Sequence, residues 1–425
     1  MVGLAQSLGH VLVADPADAE VIVVNTCGFI LRAKEESIDT ILELALHRRR
    51  RCRMLVVAGC LAQRYPEELA RELPEVDHFL GTADLPRLQE ILAPARDPRH
   101  MPRIAVGQPG FPGITVEEAY PRALVGPTHM AYLKIAEGCD RSCAFCIIPH
   151  LRGPQRSRSL ESLVAEAEQL CAAGARELVL VAQDTTAWGR DLRGQPHLAE
   201  LLEALDTLPR LRWIRLLYAY PSAVGRRLID ALARLPRVVP YLDLPFQHVD
   251  DRVLRRMRRG YTGDRVRRVI DGLRRAVPGI FLRGTIIAGH PGETAGAHRA
   301  LLDFVAEAEL EHLGVFAFSP EEGTRAASEP DPVPAPLAEE RAAELMERQR
   351  AISRRKLARL RGAELEVLVD GPSEESELLL AARHAGQAPE VDGVVILKDS
   401  AARAGELLHA RVTDSADYDL VAAPV

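Results

Sequence analysis

The sequence is poor in cysteine and aromatic residues, and it contains no long hydrophobic run. Seven cysteines spread over 425 residues are too few for the disulfide framework of a secreted protein. No stretch of about 18 apolar residues occurs, and the start lacks the basic region and apolar core of a secretory signal. These absences predict a cytoplasmic protein without a membrane segment, whose cysteines serve metal binding or catalysis.

Lysine is almost absent, since four lysines stand beside 50 arginines in a chain of net charge −6. Because the bias runs through the whole chain, a cluster of arginines is by itself weak evidence for phosphate binding. Residues 252–275 hold ten arginines against Asp264 and Asp271. We interpret them as the solvated faces of helices around a barrel. The length and the 47% hydrophobic composition predict two or three domains with their own cores.

Three cysteines lie within eight residues, directly after the strand-like segment 132–136. Cys139, Cys143 and Cys146 have the spacing Cys-x3-Cys-x2-Cys. Three thiolates can hold a four-iron, four-sulfur cluster and leave one iron open to a substrate. A zinc site and three unrelated buried thiols are the alternatives, but zinc sites usually have four ligands in paired spacing. We therefore favour an iron–sulfur site.

Residues 1–96 predict a small α/β domain with a parallel sheet, formed by a strand at 20–26, a helix at 33–51 and a strand at 54–58. Both strands end on a cysteine and a glycine, Cys27-Gly28 and Gly59-Cys60. Since ligands gather at the carboxyl ends of parallel strands, we expect Cys27 and Cys60 to share one site. Either cysteine alone would be interpreted as an inert buried thiol.

A proline-rich linker is predicted at 97–124, and a second domain follows at 125–355. Strand-like segments alternate there with amphipathic helices; the six strands are predicted at 132–136, 178–182, 213–217, 241–244, 282–288 and 313–318. This alternation favours a curved parallel sheet of the barrel family, with function at the strand carboxyl ends. Among the polar residues at those ends, Asp184, Thr185 and Thr294 also suit helix N-caps.

A long helix is predicted at about 337–360, and residues 357–425 predict a small β-barrel. Its short strands are expected at 365–369, 378–380, 394–397 and 407–412. Over residues 362–425, thirteen acidic residues stand against four basic ones, a net charge of −9. Such a surface repels RNA and attracts a basic protein.

With these three parts in order, the chain resembles the methylthiotransferase branch of the radical S-adenosylmethionine superfamily over essentially its whole length. The resemblance rests on residues 25–30 (Asn-Thr-Cys-Gly-Phe-Ile), on Gly59-Cys60 and on the loop of Cys139, Cys143 and Cys146. It implies an N-terminal domain with an auxiliary four-iron cluster, a partial (β/α)6 barrel with the radical-generating cluster, and a C-terminal TRAM barrel that grips a macromolecular substrate.

Two types of enzyme in this family compete. RimO-type enzymes modify an aspartate of the small-subunit ribosomal protein numbered twelve, and MiaB-type enzymes modify an adenosine of tRNA. Three parts of the chain resemble the RimO type: residues 183–186, residues 319–324, and residues 388–394 with 417–420. We therefore expect the ribosomal protein as substrate, with tRNA as the alternative. We also expect an electron donor such as flavodoxin or ferredoxin, no membrane partner, and no RNA contact through the acidic barrel.

The resemblance implies a radical mechanism with two iron–sulfur clusters. S-adenosylmethionine is cleaved at the cluster on Cys139, Cys143 and Cys146, and the resulting 5′-deoxyadenosyl radical takes a hydrogen from the β-carbon of the target aspartate. An auxiliary cluster on Cys27 and Cys60 then delivers sulfur that a second S-adenosylmethionine has methylated. A cofactor radical is needed because an unactivated C–H bond resists acid–base chemistry.

Four further residues are candidate contacts to S-adenosylmethionine. Phe145 precedes the last cysteine as the family pattern has it, and Gln183, Gly289 and Glu293 are chosen from their strand-end positions. His290 departs from the aromatic residue that the family carries before Pro-Gly-Glu-Thr.

The start of the chain also departs from the family, which carries a third auxiliary cysteine on an upstream Ser-Leu-Gly-Cys segment. Here only Ser7-Leu8-Gly9-His10 appears, 17 residues before Cys27. Residues 1–20 suit a later helix end and turn of the domain, so we expect its first strand to be missing. Cys52 precedes its strand and is not expected to substitute. An auxiliary cluster with two matched ligands is expected to be labile.

Overall fold

The computed structural model describes residues 1–93, 101–110 and 122–425, so the end of the predicted first domain at 94–96 and Pro98, Pro112 and Pro121 of the predicted linker lie outside the described residues. The chain forms two compact units. One comprises residues 1–124, 137–156 and 319–327, and the other comprises 125–136, 157–318 and 328–425. The cysteine loop and segment 319–327 thus pack with the first domain, although the sequence placed both in the barrel domain.

The first unit is built on a four-stranded parallel sheet in the order β1-β2-β3-β4. Its strands are β1 Val21–Thr26, β2 Met54–Gly59, β3 His78–Leu80 and β4 Ile104–Ala105. Its helices are α1 Val2–Ser7, α2 Leu31–Ala45, α3 Cys60–Arg64, α4 Pro66–Glu72, α5 Leu85–Leu92 and, in the cysteine loop, α6 Ile148–Arg152. The predicted parallel α/β domain is confirmed. Strand β4 lies inside the predicted linker. The sequence did not predict it, because two residues carry too little pattern to identify a strand.

The second unit contains a six-stranded parallel sheet whose order, β12-β11-β10-β9-β8-β5, follows the chain. Its strands are β5 Met130–Lys134, β8 Glu177–Val181, β9 Trp213–Leu216, β10 Val238–Gln247, β11 Phe281–Ala288 and β12 His312–Ala317. Two short strands, β6 Ala136–Glu137 and β7 Arg156–Ser157, form a separate two-stranded sheet. The intervening helices are α7 Leu160–Ala172, α8 Leu198–Asp206, α9 Arg226–Arg234, α10 Asp251–Arg256, α11 Gly263–Ala276 and α12 Ala295–Ala308. This alternation confirms the partial (β/α)6 barrel. Thr294 caps α12 as expected, since its hydroxyl accepts from the Ala297 amide at 3.2 Å.

A long charged helix, α13 Ala335–Ala358, leads to the C-terminal barrel. It packs on β12 and α12, and Leu357 at its end lies in the hydrophobic core of the small barrel. The predicted helix at 337–360 is therefore confirmed. No helix within residues 1–93, 101–110 and 122–425 combines the length and hydropathy needed to cross a membrane.

The C-terminal barrel is closed by five strands in the order β13-β14-β15-β17-β16. They are β13 Glu364–Pro372, β14 Leu380–His384, β15 Val395–Leu397, β16 Leu407–Ser415 and β17 Leu420–Pro424. The sequence predicted β13, β15 and β16. The strand predicted at 378–380 overlaps β14 only at Leu380, and β17, whose Leu-Val-Ala-Ala-Pro has little strand pattern, was missed. Closure depends on β17, because it pairs with β15 on one side and β16 on the other.

A buried ion network fastens this barrel to the amino ends of the parallel strands. Glu177, the first residue of β8, is fully buried between Arg215 (2.7 Å) and Arg383 (2.7 Å). Arg383 also binds Asp370 at 2.8 Å, and Asp370 lies 2.9 Å from the His129 imidazole. The small barrel therefore lies at the end of the sheet opposite the strand carboxyl ends.

Asp392 makes the second attachment. Its carboxylate binds Arg283 at 2.5 Å and accepts a hydrogen bond from the Tyr241 hydroxyl at 2.8 Å. Burial raises the pKa of Tyr241 well above its usual value, so the phenol remains a donor. The ring nitrogen Nε2 of His312 lies 2.8 Å from the Gly386 carbonyl oxygen. Three strands of the parallel sheet are thus bonded to the C-terminal barrel.

The arginine-rich stretch 252–275 is only partly a solvated surface. Arg252, Arg255, Arg258, Arg268 and Arg275 are exposed, as expected. In contrast, the guanidinium of Arg259 is buried over the rings of Tyr220 and Tyr261 and donates to the Pro245 carbonyl. Arg265 donates to the carbonyl of Val224. Several arginines of this stretch therefore hold loops, which composition alone does not reveal.

The E177Q substitution is expected to destabilise the second unit, because it removes the carboxylate that pairs with the buried Arg215 and one of the two carboxylates that pair with Arg383. Loss of one partner of a buried ion pair costs about 3–5 kcal/mol. Chemical denaturation followed by circular dichroism measures the change. Replacing Asp230, which forms the exposed pair with Arg226, by Asn is the control and should cost less than about 1 kcal/mol. Equal effects of the two substitutions would contradict a fastening role.

The same network makes stability depend on pH. Burial alone would raise the pKa of Glu177, but Arg215 and Arg383 more than offset it and hold the pKa below its usual value. The stabilisation is therefore present above about pH 4.3, the ordinary glutamate value, and is lost as the pH falls through the lower folded-state pKa. The difference between the parent protein and E177Q should shrink over that acidic range.

Candidate functional site

The two N-terminal cysteines follow adjacent parallel strands whose ends touch. Thr26 of β1 pairs with Gly59 of β2, and the Thr26 hydroxyl donates to the Ala58 carbonyl at 2.8 Å. A Cβ at Gly28 would lie 2.8 Å from the Cys60 carbonyl oxygen, so only glycine allows this approach. The structure thus brings together the backbone segments that carry Cys27 and Cys60.

Cys60 begins helix α3 and lies beside the end of the cysteine loop. Its side chain is buried against Ile147 and Leu151. Arg152, the last residue of α6, lies 3.2 Å from the Glu137 carboxylate and near enough to Cys60 to interact with it electrostatically. Burial disfavours the charged form of Arg152, but Glu137 and Cys60 more than offset this and keep its pKa above the usual value.

Cys52 and Cys171, which were not predicted to be cluster ligands, have the surroundings of ordinary packing residues. Cys52 is buried in the core with Ile22 and Leu55, and its thiol donates to the Met54 carbonyl at 3.3 Å. Cys171 is buried in α7, where burial raises the pKa of its thiol. Both are therefore packing residues.

The loop of Cys139, Cys143 and Cys146 is closed by a glycine. Gly138 has a φ of +80° and a Cβ there would lie 2.1 Å from the Pro154 carbonyl oxygen, so no other residue fits. The Cys139 amide donates to the Gly153 carbonyl at 3.0 Å, and the Cys146 amide donates to the Cys143 carbonyl at 3.2 Å. These backbone hydrogen bonds join the start of the loop at Cys139 to its end at Gly153 and form a turn between Cys143 and Cys146.

This loop fits the ligand set of a four-iron cluster. All three cysteines are outside disulfides, Cys139 is buried and Cys143 and Cys146 are half-buried. The Arg141 amide donates to the Cys139 sulfur at 3.4 Å, a contact typical of cluster ligands. Across the described residues, no three His, Cys, Asp or Glu side chains are gathered for a single metal ion. Ligands of a cubane bind different irons, so they need not meet at one point.

In the second unit, two glutamine side chains at strand ends have unpaired acceptors. The Oε1 atoms of Gln183, just after β8, and of Gln247, at the end of β10, are buried and make no hydrogen bond to any described residue. Gln247 has a φ of +70°, a strained conformation that tends to occur at functional sites. Gln183 was a predicted site residue. Gln247 was not, because backbone strain has no signature in the sequence.

Asp243 is a second residue that the sequence did not single out. It is buried within β10, and its Oδ2 accepts from the Tyr218 amide at 2.9 Å. Burial raises the pKa of Asp243 to about 6, and Oδ1 lies 4.0 Å from the Arg283 guanidinium without a hydrogen bond. A buried carboxylate with a free oxygen is suited to accept from a ligand. Its position inside an apolar strand pattern concealed it.

Glu293 and Gly289 belong to a loop that is tied to helix α13. The Glu293 carboxylate accepts from the Gly289 amide at 2.8 Å and from Arg341 at 2.8 Å, and it lies 3.5 Å from His248. A Cβ at Gly289 would lie 2.2 Å from the Ala338 side chain. Both oxygens of Glu293 thus have protein donors, and the residue holds the loop in place.

His290 replaces an aromatic residue by acting as one. Its ring is fully buried and packs edge-to-face on Phe318, with ring centroids 5.2 Å apart. Burial lowers the pKa of His290, so the imidazole is neutral at physiological pH. His290 thus packs in this loop as an uncharged aromatic ring.

Close relatives cover nearly the whole chain. A protein of Sorangium cellulosum (strain So ce56) named "Ribosomal protein uS12 methylthiotransferase RimO" is 51% identical over 99% of this chain and 86% of its own length. A protein of the same name from Anaeromyxobacter sp. (strain K) is 52% identical over 99% of this chain and 88% of its own length. The chain belongs to the RimO family.

Sequence profiles and a solved structure agree with this assignment. In this RimO-family chain, residues 133–305 match "Radical SAM superfamily", residues 1–81 match "Uncharacterized protein family UPF0004", and residues 362–425 match "TRAM domain". The fold is similar to that of the radical S-adenosylmethionine methyltransferase TsrM from Kitasatospora setae, solved with cobalamin and a [4Fe-4S] cluster. The TM-score is 0.58 at 18% identity, covering 76% of this chain and 68% of that one. The superfamily match supports S-adenosylmethionine and an iron–sulfur cluster as cofactors.

The G28A substitution is expected to force the Cys27 loop away from Cys60, because its Cβ meets backbone atoms that cannot give way. Overpacking of this kind costs about 1–3 kcal/mol. The buried Cys60 thiol should then react faster with iodoacetamide in the metal-free protein, as measured by mass spectrometry of its peptide. In the control G296A, the nearest atom to the new Cβ is 3.7 Å away, and Cys60 should stay protected. Unchanged protection in G28A would contradict the close approach.

Proposed function

We propose that this RimO-family chain transfers a methylthio group to the β-carbon of an aspartate in ribosomal protein uS12. The observation that carries the proposal is the loop of three cysteines outside disulfides, Cys139, Cys143 and Cys146, in a chain 51% identical to a relative of that name. The acidic C-terminal barrel supports a basic protein rather than tRNA as the substrate.

Two iron–sulfur sites are proposed. Cys139, Cys143 and Cys146 would hold the cluster that, when bound, supplies an electron for the reductive cleavage of S-adenosylmethionine. Cys27 and Cys60 would be ligands of an auxiliary cluster, since their backbone segments are in contact. Arg152 places a positive charge near Cys60, which would favour the metal-binding form of the thiol.

The second unit supplies candidate contacts to S-adenosylmethionine and the substrate. The unpaired acceptors of Gln183 and Gln247 suit the amino and hydroxyl groups of S-adenosylmethionine. In the first unit, Phe145, which directly precedes Cys146, is a further candidate from the family pattern. Gly289 remains a candidate for backbone contact, and Glu293 acts on it by binding its amide. These residues orient the reactants and exclude water.

The C-terminal barrel is proposed to bind the ribosomal protein through its acidic surface. Arg383 is buried in the junction with Glu177 and Asp370, and the acidic Asp392 is buried against Arg283, so these two burials offset each other and the outer surface keeps the acidic balance of the composition. The barrel lies at the amino ends of the parallel strands, and the eight residues of β11 extend roughly 26 Å from it at about 3.3 Å per residue. The barrel would therefore anchor the substrate at a distance from the strand carboxyl ends.

Several partners follow from this function. A ribosomal substrate implies a cytoplasmic location, and the single-electron step requires a donor such as flavodoxin or ferredoxin. The acidic barrel supports no RNA contact of its own, and no membrane partner is proposed.

The C143A substitution is expected to abolish modification of uS12, because a cluster with two remaining thiolates loses its ligand set. Mass spectrometry of ribosomal proteins and tRNA from a deletion strain, complemented with the parent gene or with C143A, measures the outcome. Complementation with C171A, a buried packing cysteine, should restore the modification. A methylthio group that depends on this gene in tRNA and not in uS12 would overturn the proposed substrate.

Glu374 and Glu375 are both exposed on the C-terminal barrel. Replacing both with Lys is expected to weaken the binding of uS12. The KM for uS12 should rise by about 3–10-fold and its dependence on salt should fall, because rim charges act on encounter. Cleavage of S-adenosylmethionine without substrate should be unchanged. The matched control reverses Glu339 and Glu340, an exposed pair on α13. Equal effects in both variants would contradict a docking role for the barrel.

A further inference from the structure

Segment Ser319–Ala327 packs in the first unit, and its central carboxylate is fully engaged there. Glu321 is 3% exposed. One oxygen accepts from the Leu31 amide and the Ser319 hydroxyl, both at 2.9 Å. The other accepts from Lys34 at 2.9 Å and Arg64 at 3.0 Å. Burying a carboxylate this deeply is tolerated only because four donors satisfy it.

The donors on Glu321 belong to the two elements that carry the auxiliary cysteines. Leu31 is the first residue of α2, and only three residues separate it from Cys27. Arg64 is the last residue of α3, whose first residue is Cys60. The carboxylate is therefore bonded at once to the helix after Cys27 and to the helix that starts at Cys60.

Arg64 closes the connection. Its NH1 atom, which binds Glu321, also donates to the Gly28 carbonyl at 2.8 Å, and its NH2 atom donates to the Glu322 carbonyl at 2.6 Å. The guanidinium also lies 5.1 Å from the centre of the Tyr65 ring. A planar guanidinium that donates to several fixed acceptors is held in one orientation, so Arg64 fixes the Cys27-Gly28 backbone relative to α3.

The same segment contacts the three-cysteine loop. The Ala326 amide donates to the Ala144 carbonyl, between Cys143 and Phe145, at 2.8 Å. A Cβ at Gly323 would lie 3.2 Å from the Ile147 side chain. Residues 319–327 thus touch every part of the first unit that bears a candidate ligand.

We propose that Glu321 is a positioning residue that, through Arg64 and the start of α2, fixes the backbone of Cys27 against that of Cys60 and so sets the separation of the auxiliary thiols. The inference rests on the proposed auxiliary site. It assigns a role to a glutamate distant in sequence from both cysteines, contributed by the segment that follows the last strand of the parallel sheet. Glu321 touches no reacting atom and acts only through the geometry of the two thiols.

The experiment isolates the auxiliary site in the full-length chain. In the background C139A/C143A/C146A, iron and sulfide are reconstituted anaerobically, and loss of the iron–sulfide absorbance is followed after a chelator is added. E321Q keeps the size of the side chain but removes the charge that binds Lys34 and Arg64. Loss of absorbance should become about tenfold faster or more, since breaking one side of a buried ion pair is strongly destabilising.

Two variants control for other causes. E322Q alters the neighbouring exposed carboxylate, which accepts a hydrogen bond from the Tyr65 hydroxyl at 3.3 Å, and should behave as the parent does. R48Q removes the half-buried pair of Arg48 and Asp77 elsewhere in the first unit and reports general loss of stability. If R48Q accelerates the loss as much as E321Q, the positioning role is wrong.

A double-mutant cycle tests whether Glu321 acts through Arg64. E321Q combined with R64Q should be no faster than E321Q alone, because the two side chains form one connection. Hydrogen exchange of the Leu31 amide in the metal-free protein should also accelerate in E321Q and not in E322Q. Additive effects in the cycle, or an unchanged Leu31 amide, would overturn the inference.

The outcomes separate this inference from the proposed function. If the background variant gains iron–sulfide absorbance and E321Q retains it as long as the parent does, only the positioning role fails. If the background variant gains none, the auxiliary assignment fails and the inference fails with it. In that case, cleavage of S-adenosylmethionine by the protein with all its cysteines would still test the three-thiol loop.

Discussion

Parallel strand pairing is the constraint on which both candidate sites depend. Strands that run the same way end at the same edge, so residues after successive strands are brought together without being neighbours in sequence. In the first unit, the pairing of Thr26 with Gly59 brings together the backbone segments that carry Cys27 and Cys60. In the second, the same rule places Gln183 and Gln247 at one edge and leaves the opposite edge to the C-terminal barrel, through Glu177 and its neighbours.

Buried carboxylates with cationic partners hold these arrangements. Glu177 lies between two arginines, Glu321 between Lys34 and Arg64, and Glu293 beside Arg341. Each carboxylate joins elements that are far apart in sequence, and its own burial is stabilised by the charges that it joins. Hydrophobic packing tolerates small displacements of one element against another, whereas a carboxylate with several hydrogen-bond donors fixes the relative positions of the elements that carry those donors. Such connections suit a protein in which loops must be held in register around reactive groups.

The candidate site was predictable where chemistry depends on residue type and spacing. Thiols are rare here, so the loop of Cys139, Cys143 and Cys146 and the paired ends at Cys27 and Cys60 stand out. Hydrogen-bonding roles were not predictable in this way. Glu293 has the position of a ligand contact, yet its carboxylate binds Gly289 and Arg341. Gln247 and Asp243 carry unpaired acceptors, but their surroundings come from other strands. His290 departs from the family in residue type and makes an aromatic contact.

The sequence by itself determined the element order, the parallel sheets, the charge of the C-terminal barrel and the identity of the candidate cluster ligands, because periodicity, composition and spacing are local properties. The tertiary structure alone decided which distant segments meet. It placed residues 137–156 and 319–327 with the first domain, closed the small barrel with β17, buried Arg383, and gathered Leu31, Lys34 and Arg64 on Glu321. These contacts join residues hundreds of positions apart, and the free energy that selects them comes from burial and pairing in the folded chain.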